Sequence, residues 1–263
     1  MDNATSSSQP ASPAQALLTQ ELAHVARLRE ERDANPILAG ALQRVASWQG
    51  LRLRMTYEDL AMQSRYADAV LFFQTDLYGN GEFSRRDADL ARIVPTMVRI
   101  MPERVVAVVA KAVELHALSQ GLDRSLVSRL PRADGQFSVV EYCKAYRRMG
   151  KRAEREHQIR LTGEIGRGIA EFVQKPLIRT GLRMMRQPAR LSGLSALHDF
   201  LERGFVAFRK MGNATEFLST IDTRERALME RLLAGDTAPF PDPLEPRAPA
   251  AAGPLPAGNV AVR

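Results

Sequence analysis

Apolar residues recur every three or four positions through most of the chain, which is the pattern of amphipathic helices. This pattern predicts a first helix within residues 14–32. Residues 105–118 are apolar nearly all round, so we expect that helix to be buried at the centre. No stretch shows a convincing strand pattern. The sequence therefore predicts an all-α fold, a single multi-helix, bundle-like domain.

The two ends of the chain do not follow this pattern. Residues 1–13 are small and polar, and residues 236–263 contain seven prolines with few side chains to bury. Such compositions predict disorder. We therefore place the folded domain at residues 14–235. Within the domain, the pattern leaves open whether residues 36–78 form one helix or two.

One helix start carries a strong signal. Ser138 and Glu141 have the spacing of a capping box, in which each side chain bonds the other residue's backbone amide. Phe137 can contact Tyr142 as a hydrophobic staple. We therefore predict a helix that begins just after Ser138.

Other boundaries are predicted from glycine and capping residues. Gly121 should end the central helix, and Gly212 should end a core helix rich in leucine and phenylalanine. Asn213 and Asp222 should then cap two short helices that finish the domain. These signals predict roughly nine to eleven helices in the whole domain.

The stretch from residue 72 to residue 89 predicts a sharp reversal. A helix rich in aromatic residues ends, a glycine-rich turn follows, and another helix starts. The glycines tolerate a left-handed backbone, and a serine hydroxyl can cap the second helix. The residues that define this structural turn are Tyr78, Gly79, Gly81, Ser84 and Asp87.

Four motifs carry a resemblance to a known family. They are Phe72-Phe73 leading to Leu77-Tyr78-Gly79, Phe83-Ser84-Arg85-Arg86-Asp87, Lys175-Pro176-Leu177, and the segment 200–212. Over about residues 45–233 the chain resembles an uncharacterised, largely proteobacterial family, a domain of unknown function. The family pattern has Pro-Lys-Asp where this chain has Asn80-Gly81-Glu82. The resemblance implies no activity, cofactor or catalytic residue.

The net charge and the cysteine content indicate which partners and which cellular compartment to expect. The net charge of +7 favours acidic partners such as nucleic acid or anionic lipid. No segment approaches the roughly 18 apolar residues of a membrane span, and no export signal is visible, so we predict a soluble protein without a membrane span. Cys143 is the only cysteine, which excludes an internal disulfide and fits a reducing cytoplasm.

Two stretches concentrate basic residues. One follows the capping box, and the other is a predicted helix whose basic residues fall three or four apart beside an apolar stripe. Guanidinium groups about one helical turn apart can follow a phosphate backbone. A solvated helix face gives the same pattern. The candidate polyanion-binding residues are Lys144, Arg148, Lys151, Arg155, Lys175, Arg179, Arg183, Arg186 and Arg190.

Two weak metal patterns are present. Asp76, Asn80 and Asp87 align with ligand positions of a calcium-binding EF-hand loop, but Tyr78 occupies a position that needs an oxygen ligand. We expect a capped helix corner there instead. Elsewhere in the chain, Glu154 with a histidine three residues later has the spacing of di-iron bundle proteins.

That second pattern consists of Glu154 and His157, which share one helical face. A di-iron site needs a second Glu-x-x-His and two further glutamates. Glu21 and His24 repeat the spacing, but Glu154 lies among seven basic residues of the run from Lys144 to Arg160. We therefore expect Glu154 to pair with neighbouring arginines, and we assign no cofactor. Gly163, Gly166 and Gly168 superficially resemble a phosphate loop, but no strand precedes them, so interruption or close packing of a helix explains them better.

These observations favour a non-catalytic binding or scaffold protein of the bacterial cytoplasm, which engages a protein partner through helix surfaces. One alternative is a polyanion binder, with nucleic acid as the ligand of its basic helix faces. Another is a helical-bundle metalloenzyme that uses Glu154 and His157.

Overall fold

The computed structural model describes residues 12–73, 102–132 and 135–245. Its regular elements in these ranges are all helices, so the all-α prediction is confirmed. The described ranges contain ten helices, α1 (Pro13–Asp33), α2 (Pro36–Thr56), α3 (Glu58–Ala61), α4 (Ala67–Phe72), α5 (Glu103–Val127), α6 (Val139–Met149), α7 (Arg152–Val173), α8 (Pro176–Leu191), α9 (Ser195–Met211) and α10 (Thr215–Ala234). The turn residues Tyr78, Gly79, Gly81, Ser84 and Asp87 lie outside the described ranges.

The helices enclose three apolar clusters. In the first, Trp48 of α2 packs on Tyr142 of α6, with ring centroids 4.3 Å apart, beside α5 and α10. The second joins α3, α4, α7, α9 and α10 around Phe208 and Phe217, each 1% exposed. The third holds α1 against α5 through the fully buried Leu18 and its neighbours. Burial of these side chains is the main force that holds the fold together.

The long helix α5 lies at the centre, as its composition predicts. It packs against α1, α2, α6 and α7, and Val106 and Ala110 are fully buried. Among the described helices it is the one long and apolar enough to cross a membrane. About 28% of that apolar stretch is buried in the structure, and the packing of α5 against four neighbouring helices favours a core helix of this domain.

The start of α6 confirms the predicted capping box. The Glu141 amide donates to Ser138 Oγ at 3.3 Å, and the Ser138 amide donates to Glu141 Oε2 at 2.8 Å. The bond from the Ser138 amide, together with a second bond from the Ser138 hydroxyl to the same carboxylate oxygen at 2.9 Å, holds the pKa of Glu141 below its usual range. The predicted staple is present as well, since the Phe137 and Tyr142 rings stack with centroids 6.3 Å apart.

Two predicted helix boundaries are wrong. Helix α5 continues through Gly121, because burial of Leu122 and Leu126 outweighs the roughly 1 kcal/mol that glycine costs a helix. Helix α10 is likewise continuous through Asp222. Instead of capping a helix, Asp222 accepts a hydrogen bond from Arg226, one turn later, at 2.8 Å.

The first basic stretch is divided between two helices, which its spacing did not predict. Gly150 adopts a left-handed backbone with φ of 62° and ends α6, and α7 then begins at Arg152.

The sequence left open whether residues 36–78 form one helix or two, and the structure answers this for the described part. Three helices, α2, α3 and α4, occupy residues 36–72.

The glycine cluster of α7 is a site of close helix packing. A Cβ at Gly166 would lie 2.4 Å from Leu218 of α10, and one at Gly168 would lie 2.5 Å from Val108 of α5. The helix runs through both positions without interruption. Close packing, one of the two explanations that the sequence favoured, is therefore confirmed.

The described chain extends beyond Gly235, where the sequence analysis ended the domain. Arg231 donates to the carbonyl oxygen of Pro239 at 2.8 Å. The Phe240 ring lies 5.7 Å from Trp48, between centroids, and packs against the first cluster. The proline-rich segment thus contributes to the core up to at least this aromatic residue.

Candidate anion-binding groove

Helix α8 lies at the surface and packs against α7 and α9. Pro176 begins it, where a proline costs no helical hydrogen bond. Its inner side is formed by the partly buried Ile178 and Leu182 and the buried Ala189. Gly193, with φ of 68°, then turns the chain into α9. The two consecutive helices therefore leave a cleft between them.

This cleft, which we call the basic groove, has a volume of about 850 Å³. Five cationic side chains and one carboxylate line it together with three apolar residues. Three of the cations are residues that the sequence predicted on α8, and two come from the end of α9. The lining residues are Arg179, Leu182, Arg183, Arg186, Glu202, Phe205, Val206, Arg209 and Lys210.

Two of the five cations are neutralised by acidic side chains. Arg186 donates to both oxygens of Glu202 at 2.7 Å, and this pairing keeps the pKa of Glu202 below its usual range. Lys210 Nζ lies 2.9 Å from Asp68 of α4. The groove therefore contains two ion pairs that tie α9 to its neighbours.

The other three cations have no such partner. Arg179, Arg183 and Arg209 are exposed, and none has an ion-paired or hydrogen-bonded partner within the described part of the chain. An arginine fork presents its N–H groups in the geometry of a carboxylate or phosphate. Three such groups on two facing helices form a candidate site for an anionic ligand.

Residues 28–239 match the family model described as "Domain of unknown function (DUF8198)". The chain belongs to this family. The match extends from within α1 to beyond α10, so that the basic groove is part of the DUF8198 domain. It confirms that the chain resembles an uncharacterised domain of unknown function. Neither the search of curated proteins nor the search of solved structures gives a match.

The remaining predicted basic residues of this DUF8198 domain lie outside the groove. Lys175 pairs with Glu171 at 3.2 Å, and Arg190 is exposed near the end of α8. Lys144 and Arg148 are exposed on α6, a different helix. The structure therefore does not join the two predicted basic stretches into one helix face.

Two more of the predicted basic residues, Lys151 and Arg155, contact other side chains of the domain. Lys151 Nζ bonds Glu154 at 2.6 Å. Arg155 is only 7% exposed, lies 4.8 Å over the ring of Tyr146, and donates to Gln158 at 2.9 Å. Arg155 is therefore a core residue that stacks on an aromatic face, and it is not available to a surface ligand.

Glu154 and His157, the residues of the weak metal pattern, both bond other side chains. Glu154 bonds Lys151 and not, as its charged surroundings predicted, one of the neighbouring arginines. His157 Nε2 donates to Glu114 at 2.6 Å, and its Nδ1 accepts from Arg160 at 2.9 Å. Both ring nitrogens are engaged, which leaves no lone pair for a metal ion. The EF-hand candidates Asp76, Asn80 and Asp87 lie outside the described residues.

The structure shows one histidine–carboxylate cluster that the sequence analysis missed. His198 is buried and donates from Nε2 to the Leu182 carbonyl at 2.8 Å, while its Nδ1 lies 3.8 Å from Asp199 and 4.0 Å from Glu202. Three such groups have the proximity of metal ligands. However, Arg186 already holds both oxygens of Glu202. Within the described residues we therefore interpret this cluster as support for the groove wall.

A buried polar group lies elsewhere in the core. Arg52 of α2 donates to both oxygens of Glu225 at 2.8 and 3.3 Å, and the Tyr57 hydroxyl donates to the same carboxylate at 2.7 Å. A small cavity of about 70 Å³ borders Tyr57 and Glu225. Because the three side chains bond one another, with Arg52 Nε left without a hydrogen bond among the described residues, we assign this group to stability.

Proposed function

We propose that this protein is a non-catalytic binding protein of the bacterial cytoplasm, and that its basic groove binds a polyanion. The observation that carries the proposal is the convergence of Arg179, Arg183 and Arg209 in one cleft without acidic partners among the described residues. A solvated basic face would need neither a cleft nor two helices. The proposal unites the helix-surface binder and the polyanion binder that the sequence suggested.

The spacing of the arginines suits a chain of anionic groups. Arg179 and Arg183 are four residues apart, so their side chains leave α8 about 6 Å from each other along the helix axis. Arg209 approaches from the opposite wall. Successive phosphates of a polyanion can therefore be contacted from both sides, and each contact releases counterions.

The floor of the groove adds to this attraction. Leu182 and Phe205 are partly buried there, and apolar walls lower the local dielectric constant. Guanidinium–phosphate attraction is stronger beside such walls than on an open surface. The partly exposed ring of Phe205 also provides an apolar contact for non-phosphate parts of a ligand.

The experiment measures fluorescence anisotropy of labelled oligo(dT), used as a probe of sequence-independent polyanion binding. We compare the natural chain with the triple variant Arg179→Gln/Arg183→Gln/Arg209→Gln. Loss of three phosphate contacts should weaken binding at low salt by about tenfold or more, on the order of what mutation of such contacts costs.

The matched control removes the same charge from exposed arginines elsewhere, in Arg27→Gln/Arg54→Gln/Arg129→Gln. This control should bind the probe nearly as well as the natural chain. Equal losses in the two triple variants would mean that net charge alone attracts the probe, and that result would overturn the groove as the site.

A further inference from the structure

A second exposed surface runs along the outer side of α8. Leu177, Met184 and Leu191 are 84%, 73% and 88% exposed. They are seven residues apart, so they form one line about 21 Å long on the helix. We call this line the apolar ridge. Large apolar side chains so fully exposed in a row mark a surface that contacts something else.

The same helix has no acidic residue to balance its charge. Between Glu171 and Asp199 the sequence contains five basic residues and no acidic one. The four arginines of α8 share about 60° of its circumference, and this stripe runs parallel to the apolar ridge. A helix that carries a basic stripe beside a separate apolar line is typical of interfacial helices that lie on membranes.

The shape and charge of this surface distinguish between possible occupants. A nucleic-acid backbone needs the arginines but gains nothing from exposed leucines. A second copy of the chain would bring another row of arginines against the first, and Arg186 is the one arginine of this row with an acidic partner among the described residues. A partner helix usually lies in an apolar groove, whereas these side chains protrude as a ridge. An anionic bilayer offers apolar depth and phosphate groups in one plane.

We propose that α8 docks the protein onto an anionic phospholipid surface. The apolar ridge inserts into the boundary between headgroups and acyl chains, and the arginines contact lipid phosphates. This inference rests on the proposed function, because it makes the lipid headgroups the polyanion of the basic groove. It adds that the natural ligand is a surface with an apolar layer.

The first experiment is co-sedimentation with vesicles of phosphatidylcholine mixed with phosphatidylglycerol, beside vesicles of phosphatidylcholine alone. The natural chain should bind the anionic vesicles only. The variant Leu177→Ser/Met184→Ser/Leu191→Ser should bind them about tenfold more weakly, because it inserts less apolar surface. It should still bind oligo(dT) normally, since its arginines are intact.

A matched control makes the same change at exposed apolar residues elsewhere, in Ile37→Ser/Met62→Ser/Leu244→Ser. This control should sediment with the anionic vesicles like the natural chain. Circular dichroism of both triple variants verifies that they are folded. The outer position of all six side chains makes unfolding of either variant unexpected.

A fluorescent label reports insertion directly. The one natural cysteine, Cys143, is 2% exposed, and burial raises the pKa of its thiol to about 11, so that it reacts slowly. A probe attached at Met184→Cys should shift its emission to the blue when anionic vesicles are added. The same probe at Met62→Cys should not shift.

The outcomes distinguish polyanion binding by the basic groove from membrane docking by the apolar ridge. Vesicle binding that needs both phosphatidylglycerol and the ridge supports it. Binding of oligo(dT) without binding of vesicles would overturn the membrane assignment and favour nucleic acid. Vesicle binding that the ridge variant retains unchanged would also overturn it. Failure to bind either probe would remove the proposed function as well.

Discussion

Glu225→Gln should destabilise the protein strongly, because it removes the charge that neutralises a buried arginine. The Arg52 side chain is 9% exposed and that of Glu225 is 22% exposed. Breaking a buried ion pair costs about 3–5 kcal/mol, since the remaining charge stays desolvated without a partner. The partial exposure of Glu225 places the expected loss at about 3 kcal/mol, the lower end of that range.

The same helix provides the matched control. Glu230 also accepts a fork of two bonds from an arginine, Arg152, but those side chains are 54% and 50% exposed. Water and salt screen such a pair, so Glu230→Gln should leave the stability unchanged within error. The two substitutions are chemically identical and differ in the burial of the pair.

Urea denaturation followed by tryptophan fluorescence measures both variants. Trp48 is the one tryptophan of the chain and is 3% exposed in the first cluster, so its emission reports global unfolding. A loss of about 3 kcal/mol should also lower Tm by roughly 6–12 °C for a domain of this size. A loss below about 1 kcal/mol for Glu225→Gln, as for a surface pair, would refute the reasoning.

A double substitution tests the cause. In Arg52→Met/Glu225→Leu both charges are replaced by apolar side chains, so no buried charge remains unpaired. Such replacements are often neutral or stabilising. This variant should therefore be more stable than Glu225→Gln alone. The opposite order would mean that the carboxylate contributes through packing and not through charge.

At low pH the natural chain and Glu225→Gln should have the same free energy of unfolding. Burial raises the pKa of Glu225, but Arg52 and the Tyr57 hydroxyl lower it further, so the net shift is downward from 4.5. The stability that this carboxylate contributes is present above its unfolded-state pKa and is lost as pH falls through the folded-state pKa. Denaturation at decreasing pH below 4.5 should show the two unfolding free energies converging.

Three further substitutions give predictions of differing sign. Gly168→Ala should lower the free energy of unfolding by about 1–3 kcal/mol, because the added Cβ meets the stiff side chain of Val108. Gly181→Ala should raise it by up to about 1 kcal/mol, because nothing lies within 4 Å of the added Cβ. Thermal melts measure both variants. Asp123→Asn should stabilise the protein at neutral pH, because burial raises the pKa of Asp123 more than its neighbours lower it. The folded-state pKa is raised, so this gain should vanish as pH falls below 3.8, and urea denaturation across pH measures it.

The helical pattern and the local signals predicted much of the fold. The capping box at Ser138 depends on residues three apart in sequence, and it is present as predicted. Glycine positions were less informative, since Gly121 lies inside a helix and Gly150 ends one. Whether a glycine breaks a helix depends on the burial of its neighbours, which is a tertiary property.

The sequence predicted the α8 residues of the candidate site but not those of α9. The α8 arginines share a periodic row, so their common face could be predicted. Arg209 and Lys210 carry no such pattern, and only the packing of α9 on α8 brings them to the groove. The spacing also placed Arg155 in a basic row, although it lies under the ring of Tyr146.

The apolar stripe of α8 shows the same limit. The periodic pattern predicts that Ile178, Leu182, Met185 and Ala189, the apolar stripe beside the α8 arginines, all pack against the domain. The first two and Ala189 do face the domain, but Met185 is 50% exposed. Periodicity gives the angle of a residue on its helix. It does not give the width of the face that neighbouring helices cover.

The salt dependence of oligo(dT) binding tests most directly whether the basic groove binds polyanions. Each phosphate neutralised on a single strand adds about 0.7 to the slope of log Kd against log salt. Replacing Arg179, Arg183 and Arg209 with glutamine should therefore lower that slope by about 2. A slope that stays unchanged, or that falls equally when Arg27, Arg54 and Arg129 are replaced, would contradict the account.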